Sequence, residues 1–258
     1  QYVVDQLPGQ TLSQNKKAPG RIVGWYLLAD PNKSCGGVLG ALDQDDNLFL
    51  VTEHLEESLP NRLHAAAFKK MENKFATGPV ERYADYGSAG AQAMIDFGDF
   101  GLSFTPIEKA AGSVSASVKA LRGRAWVDPK HAHPITGKMG APRIYFYRPG
   151  MVTEYESDGQ MIRSCRTAEQ ISQARQTSND SAPMDTPHKD TRSKLDLFDC
   201  VRYMCMVVAR VPEDSGDDRK GKTTREGHLP SSLTLTPNAD SDTFAGLDTP
   251  FYLPEYNF

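Results

Sequence analysis

No run of about eighteen apolar residues occurs in the 258-residue chain, so no part of it reads as a membrane-spanning helix. Cysteine is scarce. Cys35, Cys165, Cys200 and Cys205 are too few and too scattered for a disulfide framework and read as buried free thiols. A surplus of positive charge is missing too. The 29 Lys and Arg stand against 33 Asp and Glu, a formal charge of −4. That excludes a chain built mainly to grip phosphate backbones and leaves nucleic acid contact, if any, to a local patch. There is no internal repeat, no heptad run and no clean linker. No initiator methionine or signal peptide precedes Gln1, the pattern of a trimmed or precursor-released chain. Asn32-Lys33-Ser34 and Asn179-Asp180-Ser181 are glycosylation-type triplets that leave secretion open.

What is present is a series of short apolar runs among Pro, Gly, Asp and Ser. The 17 prolines suit a loop-heavy fold. Ile22 to Ala29 reads as a strand, and residues 38–42 and 48–52 read as a hairpin closed by Asp43 to Asn47. From Leu59 to Phe75 apolar residues recur near a 3.6 period, which predicts a helix with Ser58 as cap and Pro60 in its first turn. Met94–Phe97 and Leu102–Phe104 read as short strands. Residues 113–121 alternate small polar and apolar side chains, the period of a half-buried strand. Ile144–Tyr147 reads as an aromatic strand, residues 151–155 and 160–164 as a hairpin, and 168–175 as a short helix. Residues 195–211 form the most apolar run, whose core at Val201 to Ala209 reads as a central strand, with a further short strand at 233–236. Few regular helices separate these runs, so the expected fold is mainly β. It is an antiparallel β-sandwich of jelly-roll type with one or two inserted helices and extended termini. The expected organisation is an arm at 1–20, one β-rich domain at 21–236 and an extended tail at 237–258.

Motifs for chemistry are thin. In Asp128-Pro129-Lys130-His131-Ala132-His133 the two histidines point the same way along an extended chain, and Asp128 supplies an oxygen. This candidate metal group resembles the first motif of double-stranded β-helix metal enzymes, although the carboxylate that should follow is missing. Arg21-Ile22-Val23-Gly24 resembles a chymotrypsin-type protease start, with no triad to follow it. Asp43, Asp45 and Asp46 lack the glycine and glutamate of a calcium loop and fit a solvent-facing turn. Gly216-x4-Gly221-Lys222-Thr223 matches a phosphate loop formally, in an acidic setting between prolines. Arg122, Arg124, Lys130 and Lys138, with Trp126, make a mild basic interval. No catalytic residue and no cofactor is expected from these patterns.

The long polar excursions at 176–194 and 212–230 and the aromatic ends point to assembly. Ordering such segments costs about 1–2 kcal/mol per residue, which contacts with neighbouring subunits offset. Tyr2, Phe244, Phe251, Tyr252, Tyr256 and Phe258 are the expected interface residues, since aromatics give large contact area with few rotors. This plan resembles an icosahedral virus coat protein with a jelly-roll body. The resemblance implies a structural, non-catalytic subunit in a virion or intracellular assembly, with copies of itself or related subunits as partners. The alternatives are an enzyme or ligand-binding protein on a β-sandwich or barrel, and a fixed subunit of a cellular complex.

Overall fold

A computed structural model describes residues 2–10, 18–31, 34–85, 90–107, 112–157, 159–176, 187–188 and 195–208. The described chain runs β1 (Val3–Val4), β2 (Ile22–Pro31), β3 (Ser34–Asp43), β4 (Leu48–Glu57), α1 (Asn61–Phe75), β5 (Val80–Ala84) and α2 (Ala91–Asp99). It continues through β6 (Thr105–Pro106), α3 (Ser113–Ala125), β7 (Asp128–Ala132), β8 (Met139–Ala141), β9 (Ile144–Tyr147) and α4 (Arg148–Met151). Last come β10 (Thr153–Ser157), β11 (Gln160–Ser164), α5 (Arg166–Gln173), β12 (Arg175–Gln176), β13 (Pro187–His188) and α6 (Asp196–Val207).

The architecture is mixed α/β, which corrects the expected sandwich. One seven-stranded sheet, in the order β1-β9-β4-β3-β2-β5-β6, forms the centre. β2, β3 and β4 make an antiparallel meander. β5 then joins β2 in parallel and β6 joins β5 in parallel, as β9 does β4 and β1 does β9. The turn after β3 is held by its own acids. Asp43 Oδ1 accepts from the N–H groups of Asp45 (2.9 Å) and Asn47 (2.8 Å), and its Oδ2 accepts from Asn47 Nδ2 (2.9 Å). This is the Asx geometry that Asp and Asn favour at tight turns.

Each sheet face has its own helices. Leu27, Ala29, Leu39, Phe49 and Val51 share one cluster with Phe68 and Met71 of α1 and Phe97 of α2. α6 lies on the opposite face. A Cβ on Gly36 would come within 3.0 Å of Asp196 Cβ, and one on Gly40 within 2.4 Å of the Met204 sulfur. These two glycines let the helix settle onto the strands. α3 joins α6 through a buried pair: Arg202 donates to Asp199 (2.7 Å) and to Ser117 Oγ (2.8 Å).

Three segments expected as strands are helices. Residues 113–121 form most of α3, where small Ser and Ala suit a helix packed closely on another. Most of the strand expected at 201–209 falls in α6, which is buried at every position from Leu197 to Cys205, its buried Asp199 and Arg202 paired with each other. Met94–Phe97 falls in α2, whose buried Ala93 and Phe97 lie four residues apart. Residues 102–104 carry no strand, and β6 begins at Thr105. α1 starts at Asn61 with Pro60 as its cap residue and no capping side chain, while Ser58 sits at φ 56. The strands at 22–29 and 144–147, both expected hairpins and the helix near 168 are present within a few residues. The excursions at 176–194 and 212–230 and the strand at 233–236 lie outside the described residues, apart from residue 176 at the end of β12 and residues 187–188 of β13.

Candidate functional site: carboxylates at the sheet edge

β2 ends in Ala29-Asp30-Pro31. Ala29 belongs to the α1 face, so strand alternation turns Asp30 to the α6 face. The next strand repeats the pattern. Ala29 pairs with Ala84 in the parallel β2–β5 ladder, and Ala84 also belongs to the α1 face. Asp85 follows, with its N–H donating to Ala29 O at 2.9 Å. Asp30 and Asp85 are therefore neighbours in register at the carboxyl edge of the sheet, and both are buried.

A third carboxylate comes from α6. Asp196, its first residue, lies over Gly36, the partner of Asp30 across the β2–β3 ladder. Asp196 Oδ2 accepts a short hydrogen bond from Ser34 Oγ at the start of β3. Gln170 of α5 fixes the helix end, its Oε1 accepting from Leu197 N (2.8 Å) and Phe198 N (3.1 Å). These are donors that the first turn of a helix cannot satisfy internally. Asp199, one turn on, is engaged by Arg202 and belongs to the packing of α6 on α3.

Two thiols border the group. Burial, then the charges of Asp30 and Asp196, push Cys35 up to about 12. Cys200 is pushed up by burial and by Asp30, Asp199 and Asp196. In the metal-free chain both are protonated thiols and poor nucleophiles. The three carboxylates offer oxygen donors, which suit a hard cation such as magnesium or manganese. Among the described residues no three His, Cys, Asp or Glu are already grouped to hold a metal ion. Magnesium needs only one or two protein carboxylates, its remaining ligands coming from water and substrate phosphate. The residues fit on that basis.

The motif at 128–133 lies at the other end of the sheet. His131 Nε2 is 2.6 Å from Asn47 Oδ1, in the turn between β3 and β4. His133 Nδ1 accepts from Ile135 N (3.2 Å) and Thr136 N (3.3 Å), and its ring stands edge-on to Tyr145. Asp128 Oδ1 accepts from Lys130 N (2.9 Å), and its Oδ2 faces Arg143 at 3.9 Å. Each of the three is thus engaged separately. Tyr2 is buried in its own chain, its hydroxyl donating to Ala125 O at 2.9 Å. Phe244, Phe251, Tyr252, Tyr256 and Phe258, like the formal phosphate loop at 216–223, lie outside the described residues.

No family model matches the chain, and neither does any curated protein. Among solved structures, it is similar to the large terminase nuclease domain of bacteriophage SPP1 with bound Mn. Identity is 14%, over 71% of this chain and 85% of that one, with a TM-score of 0.47. A large terminase from a thermophilic bacteriophage gives 11% identity, 78% and 42% coverage and a TM-score of 0.48. The P22 large terminase nuclease domain gives 15%, 81% and 97%, and 0.44. The reading as a non-catalytic capsid subunit is corrected on the fold: it rested on a jelly-roll sandwich, and the body is a mixed sheet covered by helices on both faces.

Proposed function

We propose that this chain is a divalent-metal-dependent hydrolase of phosphodiester bonds, a nuclease. Asp30, Asp85 and Asp196 are the carboxylates from which the one or two protein ligands of the ion would be drawn. The observation that supports the reading is the placement of these three acids, from elements far apart in sequence, along the carboxyl edge of the sheet at three adjacent strands, with Asp30 between Asp196 and Asp85. Ligands of open α/β sheets gather at that edge. Like charges placed side by side under burial are stabilised by a cation or by protonation, and a hard cation matches carboxylate oxygens. When bound, the ion supplies Lewis acidity to a phosphoryl group. Asp30 and Asp85 extend from adjacent strands of one rigid sheet, so their spacing is fixed by the ladder. Asp196 comes from a separate element and is held by the Ser34 hydroxyl. A nuclease is also the activity named for the SPP1 and P22 domains; in this chain the carboxylates carry the argument.

The test is cleavage of linear and supercoiled DNA by the purified chain with magnesium or manganese. Cleavage is expected with either ion and absent with chelator. Asp30→Asn and Asp196→Asn are each expected to lower the rate at least 100-fold while leaving the thermal transition cooperative. Asp128→Asn, at the far end of the sheet, is expected to keep full activity. Cleavage that survives both edge variants, or that falls with Asp128→Asn instead, refutes the assignment.

A further inference from the structure

The chain is acidic overall, yet every exposed charged residue of helix α1 is basic. Arg62, Lys69, Lys70 and Lys74 of α1 are all exposed. At 100° per residue they fall within an arc of about 140° on the side away from His64, Phe68 and Met71, which are buried. The helix's one acid, Glu72, is buried and takes a two-pronged contact from Arg82 at 2.6 and 2.7 Å, so it does not offset that face. None of the four cations makes an ion pair among the described residues; Lys74 lies 4.8 Å from the centre of the Phe75 ring. Asp96 of the neighbouring α2 is occupied by Asn61 (2.6 Å) and Gln92 (2.7 Å). The nearest exposed acids in sequence, Glu56 and Glu57, end β4 ahead of the helix.

The topology sets where this face begins. β4 and β2 both run antiparallel to β3, so α1 departs from the sheet edge that carries Asp30. Arg62 begins the stripe on that side. Lys74 follows about 18 Å along the axis at 1.5 Å per residue. Duplex DNA carries one charge per about 1.7 Å of axis, so the stripe spans several phosphates. An interfacial membrane helix needs its apolar side outward. Here that side is turned into the core, and Leu63, 45% exposed, is the one large hydrophobic residue of α1 left exposed.

We propose that the outer face of α1 is a phosphate-backbone track for duplex nucleic acid that begins at the sheet edge carrying the carboxylates. The choice of nucleic acid rests on the nuclease reading; the track itself needs neither metal nor cleavage. The test measures binding of the full chain to a fluorescent 20-base-pair duplex in chelator, from about 50 to 200 mM KCl. Wild type is compared with R62Q/K69Q/K70Q/K74Q and with K130Q/K138Q on the β7–β8 hairpin. Four lost contacts at about 0.9 each are expected to make the salt slope shallower by about 3 to 4. Affinity at the lowest salt is expected to fall at least 30-fold, and K130Q/K138Q is expected to keep the wild-type slope. Glutamine keeps nearly the helix propensity of lysine, so the circular dichroism spectrum is expected to be unchanged. The proposal is overturned if the α1 variant keeps the wild-type slope, if the loss follows the hairpin lysines, or if phosphatidylserine vesicles bind wild type more tightly than the duplex does. A wild type that cleaves but shows no slope change on α1 substitution refutes the track alone. A slope change in a chain that never cleaves refutes the nuclease alone.

Discussion

At the scale of single residues, His54 shows how packing sets a titration. It stands on β4 with its Nε2 2.9 Å from Nδ1 of His64 on α1, edge-on to the Phe68 ring. Burial, then the proximity of His64 and Arg166, lower it to about 4. His64 is also lowered by burial, against a smaller opposing pull from Glu56. The unfolded chain therefore binds more protons than the folded one between about pH 6.5 and pH 4. The contribution is complete above pH 6.5 and is lost as pH falls through that window. A shift of this size corresponds to about 3 kcal/mol, reduced to about 2 by partial exposure of the ring. Glu53 acts oppositely. Burial holds its carboxyl above the usual range, so its protonation adds stability as pH falls. The difference between two pH profiles separates them. Wild type is expected to lose roughly 4–8 °C in melting temperature relative to His54→Phe between pH 7 and pH 4.5. Parallel profiles would show that His54 stays neutral at no cost to folding.

At the scale of elements, α6 links the stability of the fold to the site. Its seat on the sheet depends on Gly36 and Gly40, and its first residue is a proposed metal ligand. Gly36→Ala would bring a Cβ against both the Cβ and the backbone carbon of Asp196, at 3.0 and 3.3 Å. Overpacking of this kind costs about 1–3 kcal/mol and is relieved by shifting the helix end. Cleavage is therefore expected to fall at least tenfold at saturating substrate, with a melting temperature lowered by only a few degrees. Full activity in Gly36→Ala would show that Asp196 needs no such placement. The same element shows what the sequence reveals. The β3–β4 hairpin was legible because turn acids sit between two apolar runs. α6 was not: past Arg202 its apolar residues run without interruption, and Val201 to Ala209 reads equally as a central strand. α3 misleads the other way, because its small residues permit close helix packing while mimicking a two-residue period. The site was hidden for a further reason. Asp30 stands beside a proline and reads as part of a turn, Asp85 and Asp196 belong to no local motif, and only the register of β2 with β3 and β5 brings the three together.

At the scale of the whole molecule, a cation at the carboxylate edge would couple three parts of the chain that the covalent sequence keeps apart. β2 and β5 belong to one ladder, but Asp196 reaches the site only through the seating of α6 on β2 and β3 and through its cap from Gln170. An ion that binds this arrangement and not the unfolded chain stabilises the whole cooperative unit by mass action. At 100 times its dissociation constant the gain is about 2.7 kcal/mol. For a body of about 200 residues that is a rise of roughly 5–10 °C in melting temperature. Manganese is expected to produce it at constant ionic strength. Asp196→Asn is expected to abolish it, and Asp128→Asn is expected to leave it intact. The measurement is independent of any substrate, so it separates metal binding from cleavage. A rise that persists in Asp196→Asn but vanishes in Asp128→Asn would move the metal to the far end of the sheet, beside His131, and would leave the carboxylate edge a purely structural corner of the fold.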